Sequence, residues 1–275
     1  MPSLDSSRGR FRLADRHIGT LAHLADKETP PAELSYSLRE LQEIGLVGGE
    51  GELSPLLREL LTTLANPLVI VHAEVIGQNG PLQHGVIVGQ EAVISHDSWP
   101  DEEESEYTPI DPQMLIWEMT RKVNLRREEF KAFDHSTLST TMGVLDAAFA
   151  AVEGSAGDPE TARAAVEDAL ALSGELKDQA RASFTELILS VNSMWRITTV
   201  WDETHEGKRT AATGRSLAVW DCGPNGYWTR EEPQEPVGDT AVAPTDPLRL
   251  RQTSAAKLWD RITDLLPDKA ELVGG

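Results

Sequence analysis

Apolar and polar residues alternate most clearly between Met194 and Arg230. Trp, Val, Ile and Thr are dense in this stretch, and turn sequences at Glu206–Lys208 and Gly223–Gly226 interrupt it. Such alternation is typical of antiparallel strands joined by tight turns. A period of two predicts two faces for the first strand, with Trp195, Ile197, Thr199 and Trp201 on one and Arg196, Thr198 and Val200 on the other.

A similar stretch runs from Leu68 to Asp97, where Gly-rich turns separate three apolar runs. An acidic loop follows each stretch and leads to a Pro-x-Asp-Pro sequence, at Tyr107–Pro112 and at Ala243–Pro247. A helical pattern follows in both places. The first runs from Asp111 toward Arg127, and the second runs from Leu248 to about Pro267. This shared order indicates a diverged internal repeat, although Asp-Pro also opens many unrelated helices.

Helical spacing of apolar residues predicts six further helices. They span Leu13 to Ala25, Glu33 to Ile44, Ser54 to Asn66, Ser136 to Val152, Pro159 to Leu172 and Glu175 to Leu189. Ser54, Ser136 and Asp158 are predicted N-caps. Residues 1–12 and 268–275 are predicted to be a loose head and a tail. The repeat predicts one domain over residues 1–275, with a first helix–hairpin–helix half at 13–127 and a second at 136–267.

The early order of helix, turn, helix and hairpin also fits a winged helix, and the alternative function is therefore a DNA-binding transcriptional regulator. A recognition helix needs Arg, Lys, Asn or Gln reaching bases and phosphates. The candidate helix, Pro55 to Ala65, carries only Arg58 and Glu59 as charged residues. The net charge of −20 also repels a phosphate backbone. Nucleic-acid binding is accordingly disfavoured.

Candidate catalytic groups do not form a recognisable constellation. The single cysteine, Cys222, can form neither an intramolecular disulfide nor a cysteine zinc site. His72 and Glu74 copy part of a zinc deaminase signature that lacks its cysteines, so His72 is better explained as a half-buried strand residue. Asp134-His135-Ser136 is contiguous, whereas catalytic triads join residues distant in sequence. We therefore expect no enzyme activity, no metal and no cofactor; an unrecognised enzyme remains a third hypothesis.

The start of the chain lacks the apolar core of a signal peptide, and no apolar run approaches a membrane span of about 20 residues. These features predict a cytoplasmic, acidic protein that does not enter membranes. Four of the seven Trp residues lie between Met194 and Arg230. Each alone is typical of a core, but as a group they could include an exposed apolar patch that binds a partner.

Three segments resemble the EspG family, the cytosolic chaperones of type VII (ESX) secretion in actinobacteria. Ser37–Pro67 is similar to that family's early helix pair, Ser216–Trp228 to its late strand with a Trp, Asp and Gly turn, and Val242–Leu250 to the segment before its last helix. The resemblance implies an α+β fold with a central antiparallel sheet, flanking helical bundles and two pseudo-symmetric halves.

The resemblance also implies a non-enzymatic chaperone or adaptor for helical secreted proteins. Its partners would be PE–PPE heterodimers in mycobacteria or WXG100-like hairpins elsewhere; whether the chain also forms a homodimer is left open. We predict that the partner contacts the second set of strands, its hairpin around Glu206 to Arg209 and the last helix. The predicted contact residues are Trp201, Glu206, Lys208, Arg209 and Trp228.

Overall fold

A computed structural model describes residues 1–77, 80–127, 136–155, 157–205, 208–231 and 243–273. The described strands are β1 (Ser3–Asp5), β2 (Arg10–Ala14), β3 (Val69–Gly77), β4 (Gly80–Val88), β5 (Val93–Ser98), β6 (Glu104–Ile110), β7 (Thr137–Thr141), β8 (Ser193–His205), β9 (Lys208–Asp221), β10 (Tyr227–Arg230) and β11 (Pro247–Thr253). The described helices are α1 (Asp15–Ala25), α2 (Ser35–Glu43), α3 (Arg58–Ala65), α4 (Leu115–Lys122), α5 (Met142–Gly154), α6 (Pro159–Ser173), α7 (Asp178–Leu189), α8 (Ala255–Thr263) and α9 (Lys269–Val273).

The strands form a large sheet with the hydrogen-bonded order β1-β2-β6-β5-β4-β3-β8-β9-β10-β11-β7. Every pair whose register is defined is antiparallel. The expected α+β class with a large antiparallel sheet and several helices is confirmed. The chain divides into two compact units. The first consists of Met1–Leu125, Arg196–Leu217 and Arg261–Gly275, and the second of Arg126–Trp195 and Ala218–Asp260.

The core of the first unit lies between α1, α2 and α3 and the strands β2, β5 and β6. Its buried members are Phe11, Leu13, Leu21, Leu41, Leu46, Val47, Leu57, Leu60, Ile94 and Tyr107. Full burial stabilises each large side chain by about 1.5–3 kcal/mol relative to exposure. Ser54 caps the 3-10 turn Pro55–Leu57 that leads into α3, because its hydroxyl accepts a hydrogen bond from the Leu56 amide at 3.4 Å.

A buried histidine joins the first two helices. His17 Nδ1 accepts the Ala14 amide hydrogen at 2.9 Å, so the proton of the neutral ring lies on Nε2. That nitrogen lies 3.1 Å from Glu40 Oε2 and donates to it. Arg16 also reaches this carboxylate, at 3.4 Å. The pairing explains how Glu40 is tolerated at 5% exposure.

The core of the second unit lies between α5, α6 and α7 and the strands β7, β10 and β11. Its buried members are Leu138, Val144, Leu145, Ala148, Val166, Leu170, Phe184, Leu187, Ile188, Cys222, Trp228, Leu248 and Leu250. Trp228 is fully buried, and its indole N–H donates to the Asn225 carbonyl at 3.2 Å. The predicted cap of α6 is confirmed, since Asp158 Oδ2 accepts the Thr161 amide at 2.8 Å.

Three segments that the sequence pattern predicts as loop or helix are strands. The head contains β1 and β2; the first turn of the helix predicted from Ser136 is β7; and the residues after the second Pro-x-Asp-Pro are β11. Ser136 is therefore not an N-cap, because α5 begins only after Thr141. In β11, Leu248 is buried and Arg249 exposed, which is the alternation of a strand. Distant strands supply the hydrogen-bonding partners of these segments, and local spacing could not show that.

Several helix boundaries also differ from the predicted ones. The first helix begins at Asp15, and α4 ends at Lys122 before it reaches Arg127. The predicted tail contains α9. Asp268 and Glu271 form a reciprocal capping box there, with the Asp268 amide donating to Glu271 Oε2 at 2.8 Å and the Glu271 amide to Asp268 Oδ1 at 2.9 Å.

The order of elements repeats along the chain. The segment from β2 to α4 runs strand, three helices, four strands, helix, and the segment from β7 to α8 runs in the same order. In each segment the first strand pairs antiparallel with the fourth strand of the later group, as β2 with β6 and as β7 with β11. The Pro-x-Asp-Pro sequences are not equivalent within this order, because the first precedes α4 and the second precedes β11.

A buried charge network fastens α4 to the sheet. His84 and Asp97 face each other on β4 and β5, with His84 Nδ1 2.7 Å from Asp97 Oδ1. Lys122 Nζ binds the same carboxylate oxygen and lies 3.6 Å from Glu118 Oε1. Only 2% of the Lys122 side chain is exposed, so its charge depends on these two carboxylates.

Burial alone would raise the pKa of Asp97, but hydrogen bonds from His84 and Lys122 outweigh it and lower the pKa from 3.8 to about 2. Because the folded-state pKa lies below the unfolded value, the ionised Asp97 stabilises the fold above about pH 4. This contribution is lost as the pH falls toward 2.

Burial acts unopposed on Tyr107 and raises its pKa to about 12.

We expect Lys122→Met to lower the free energy of unfolding by about 3 kcal/mol, because Asp97 and Glu118 lose a buried cation. Urea unfolding at pH 7 measures this loss. Lys257→Met is the matched control, since Lys257 is exposed on α8. The variant should also lose the share of the acid-dependent stability between about pH 4 and 2 that Lys122 provides, while His84 still pairs with Asp97. A change below about 0.5 kcal/mol, as on an ordinary surface, would contradict a structural role for the network.

Candidate functional site

The adjacent strands β3 and β8 each bury one face and expose the other. On β3, Val69 and Val71 are buried, whereas Ile70 is 45% and Ile76 is 53% exposed. On β8 the predicted faces are confirmed: Trp195, Ile197, Thr199 and Trp201 are buried, and Val200 is 40% exposed. Exposed apolar residues that cluster on a sheet are typical of a partner-binding surface.

We name the exposed residues Ile70, His72, Ile76, Arg196 and Val200 the open strand surface. It combines three apolar side chains with two that can carry positive charge. His72 belongs to a strand, as predicted, but is exposed rather than half-buried. The surface was not predicted, because β3 carries apolar residues on both faces and its sequence does not indicate which face is buried.

The neighbouring strand β9 leaves Val200 uncovered. Gly214 has no side chain, and a Cβ there would lie 3.1 Å from the Thr199 carbonyl oxygen and 3.6 Å from Val200 Cγ2. Next to this position, Thr198 and Ser216 share a hydrogen bond of 3.2 Å between their hydroxyls. The exposed row of β8 is therefore flanked by small and hydroxylated residues, which leave room for an incoming side chain.

The structure places the predicted contact residues in different environments. Trp201 is 2% exposed and Trp228 is fully buried, each within the core of its own unit. Lys208 and Arg209 are the first two residues of β9. Glu206 lies outside the described residues. Contact between these five residues and a partner remains a prediction.

The expected exposed patch does not come from the Trp residues of the second stretch. Trp195, Trp201 and Trp228 are buried, and Trp220 packs edge-on against Phe149 at 5.9 Å between ring centroids. The more exposed indoles belong to the first unit, where Trp99 is 36% and Trp117 is 50% exposed. The high density of Trp in these strands therefore reflects buried side chains. The exposed apolar residues of the sheet are Ile and Val.

Arg215 joins the hairpin to the C-terminal segment. It lies on β9, and its guanidinium covers the Trp201 ring at 5.1 Å. Its Nη1 donates to the carbonyls of Asp264 at 3.0 Å and Leu266 at 2.9 Å, just past the end of α8. Nη2 pairs with Glu271 of α9. One planar cation thus satisfies helix-end carbonyls and shields an indole from solvent.

The described residues contain no group of three or more His, Cys, Asp or Glu side chains that could hold a metal ion. Cys222 is fully buried, and burial raises the pKa of its thiol from 9.0 to about 12. A thiol in that state supplies almost no nucleophilic thiolate at neutral pH.

We expect Arg215→Lys to release the C-terminal segment, because a lysine keeps the charge but loses the forked hydrogen bonds and the stacking on Trp201. Hydrogen exchange followed by mass spectrometry should show at least about tenfold faster exchange in residues 264–272. Arg196→Lys on β8 is the matched control and should leave that segment unchanged. Equal protection of the segment in both variants would contradict the role of Arg215.

None of the described helices has both the length and the apolar character needed to cross a bilayer. No curated protein matches the chain. Among solved structures, the fold is similar to that of EspG5, a type VII secretion system chaperone of Mycobacterium tuberculosis, in a structure titled as its complex with a PE25–PPE41 dimer. The TM-score is 0.56 at 10% identity, over 94% of this chain and 97% of that chain.

At that level of identity, the structural similarity concerns the fold alone. The sequence supplies the second finding, since the model of the EspG family matches residues 20–254. That range includes every strand from β3 to β11 and helices α2 to α7. Because the family model covers most of the chain, this protein belongs to the EspG family.

Proposed function

We propose that this protein is a chaperone of type VII (ESX) secretion that binds a helical secreted pair of the PE–PPE type. Membership of the EspG family supports the role, and the complex of the structurally similar EspG5 with a PE25–PPE41 dimer supports the class of partner. The observation that carries the proposal in this chain is the open strand surface. Ile70, Ile76 and Val200 are exposed on it, although each belongs to a strand whose other face is buried.

A helix end of the partner would complete this surface. An amphipathic helix buries an apolar stripe, and a sheet face with exposed Ile and Val side chains can receive it. Burial of the apolar area provides the affinity, at about 25 cal/mol per Å², and lessens the tendency of the bound helix to aggregate. Arg196 at the margin can pair with an acidic residue of the partner and so contribute to its orientation.

The hairpin residues of the predicted site fit the same proposal. Lys208 and Arg209 are the first residues of β9, which lies beside β8 in the sheet, and Glu206 precedes Lys208 by two residues in the sequence. A partner lying on β8 would reach the start of β9. The buried Trp201 and Trp228 would act indirectly, by fixing the backbone of the strands that carry them. The predicted last helix corresponds to α8. It would contribute through the hydrogen bonds from Arg215 to the carbonyls that follow its C-terminal end.

Three further parts of the proposal concern architecture and setting. The repeated order of elements supports a chain built from two pseudo-symmetric halves, at residues 13–127 and 136–267 of one domain. The role places the protein in the cytoplasm of an actinobacterium, where its net charge of −20 favours solubility. Homodimer formation remains open.

Neither alternative function is supported. The helix proposed to enter a DNA groove, α3, exposes one Arg and one Glu as its charged residues, Arg58 and Glu59. Such a helix offers no row of phosphate or base contacts. A winged-helix start would be an architectural feature of the proposed chaperone. The proposed role is non-enzymatic, in keeping with the buried, protonated Cys222.

We expect Ile70→Glu and Val200→Glu to weaken binding of the secreted pair by at least about tenfold each, because a carboxylate would enter an apolar contact. Co-purification and calorimetry with the PE–PPE or WXG100-like pairs of the same genome measure the effect. Leu172→Glu is the matched control: Leu172 is 89% exposed on α6, outside the surface. If no such pair binds the unmodified protein, the proposed function itself fails.

The hairpin can be tested separately by charge reversal. The double substitution Lys208→Glu and Arg209→Glu should weaken the same complex by roughly tenfold at low salt, with a smaller effect at high salt. Lys257→Glu with Lys269→Glu changes the net charge equally and serves as the control. Binding that is equally weak in both double variants would assign the effect to net charge and remove the hairpin from the site.

A further inference from the structure

A cavity of about 350 Å³ opens in the first unit beside the first turn of α3. Its deeper lining consists of the buried side chains Phe11, Leu60 and Ile94. Exposed residues line its mouth: Pro55, Leu56 and Pro109. This volume lies at the lower end of the range that small-molecule sites occupy. The cavity is separate from the open strand surface and shares no residue with it.

Rigid residues keep this cavity open. Pro109 lies on β6, opposite Ile94 of β5 and beyond Tyr107, the last residue of β6 that pairs with β2, so its missing amide hydrogen leaves no gap in the ladder with β2. The turn between β1 and β2 passes close by at Gly9, whose φ is +61°. A Cβ on Gly9 would lie 3.3 Å from Pro109 Cγ, so the close approach requires glycine. A ligand would lose little binding energy to ordering these walls.

Two opposite charges stand at the mouth. Arg58 and Glu59 are consecutive, both are exposed, and both line the cavity. Within the part of the chain that the structure describes, no ion pair engages either side chain. The cavity therefore offers an apolar interior with one guanidinium and one carboxylate at its entrance.

We propose that this cavity binds a free α-amino acid with a large apolar side chain. The ligand carboxylate would pair with the Arg58 guanidinium, which can donate two parallel hydrogen bonds to it. The ligand ammonium would pair with the Glu59 carboxylate. The side chain would enter the space between Phe11, Leu60 and Ile94. Each part of the site then meets its chemical complement, and no charge is left beside an apolar group.

Ligands with only one of these charges fit less well. A fatty acid or another simple carboxylate would satisfy Arg58 but bring its negative charge close to Glu59. A simple amine would do the reverse. An internal segment of a polypeptide carries neither terminal charge. The pairing of both charges over an apolar cavity thus favours the zwitterion over each of these classes.

The test measures binding of L-phenylalanine to the full chain by saturation-transfer NMR and calorimetry. A ligand of this size should bind with a Kd of about 1 mM. The comparison ligands are 3-phenylpropionate, which lacks the ammonium, and phenethylamine, which lacks the carboxylate. Each should bind at least about fivefold more weakly than L-phenylalanine.

Two substitutions separate the roles of the charges. Arg58→Gln should weaken the binding of L-phenylalanine by about fivefold or more and leave the binding of phenethylamine unchanged. Glu59→Gln should weaken the binding of L-phenylalanine and leave the binding of 3-phenylpropionate unchanged. Both residues are exposed, so the variants should fold normally. Arg39→Gln, on the exposed side of α2, is the matched control and should bind like the unmodified protein.

Three outcomes would overturn the proposal. The first is no saturable binding of L-phenylalanine at concentrations about tenfold above the expected Kd. The second is equal binding of all three ligands, which would show that Arg58 and Glu59 do not discriminate between them. The third is binding that survives both substitutions at the cavity mouth. None of these outcomes bears on the secreted partner, because its test uses other residues.

Discussion

Only one face of strand β8 is covered, and the rest of the structure is arranged around that constraint. Successive side chains of a strand point to opposite faces, so burial of Trp195, Ile197 and Trp201 forces Arg196 and Val200 outward. A register shift of one residue would expose two indoles and bury a guanidinium, and the register is therefore strongly fixed. The same alternation that buries one face of β8 thus leaves Val200 exposed on the other.

Long polar side chains hold the peripheral elements on this frame. Lys122 connects α4 to the carboxylate of Asp97, and Arg215 binds the carbonyls that follow α8. The Lys122 side chain is 2% exposed, whereas the Arg215 side chain is 38% exposed. A buried pair such as Lys122 with Asp97 adds little net stability but penalises any arrangement that separates the two charges. The two cations fix where the helices lie, while apolar burial provides most of the stability.

Membership of the EspG family and the open strand surface lead to the same kind of function by separate routes. The family match comes from the sequence over residues 20–254, and the surface comes from exposure of Ile70, Ile76 and Val200. A sheet that leaves apolar residues uncovered is suited to receiving a helix from another protein.

The sequence by itself determined the features that depend on near neighbours. These include the alternating faces of β8, the caps at Ser54 and Asp158, and the family resemblance. Tertiary structure decided that β2, β7 and β11 are strands, because their hydrogen-bonding partners are remote in sequence. It also brought His84, Asp97 and Lys122 together from three elements. Which face of β3 stays open was likewise settled only by packing, since an apolar side chain has the same identity whether or not a helix covers it.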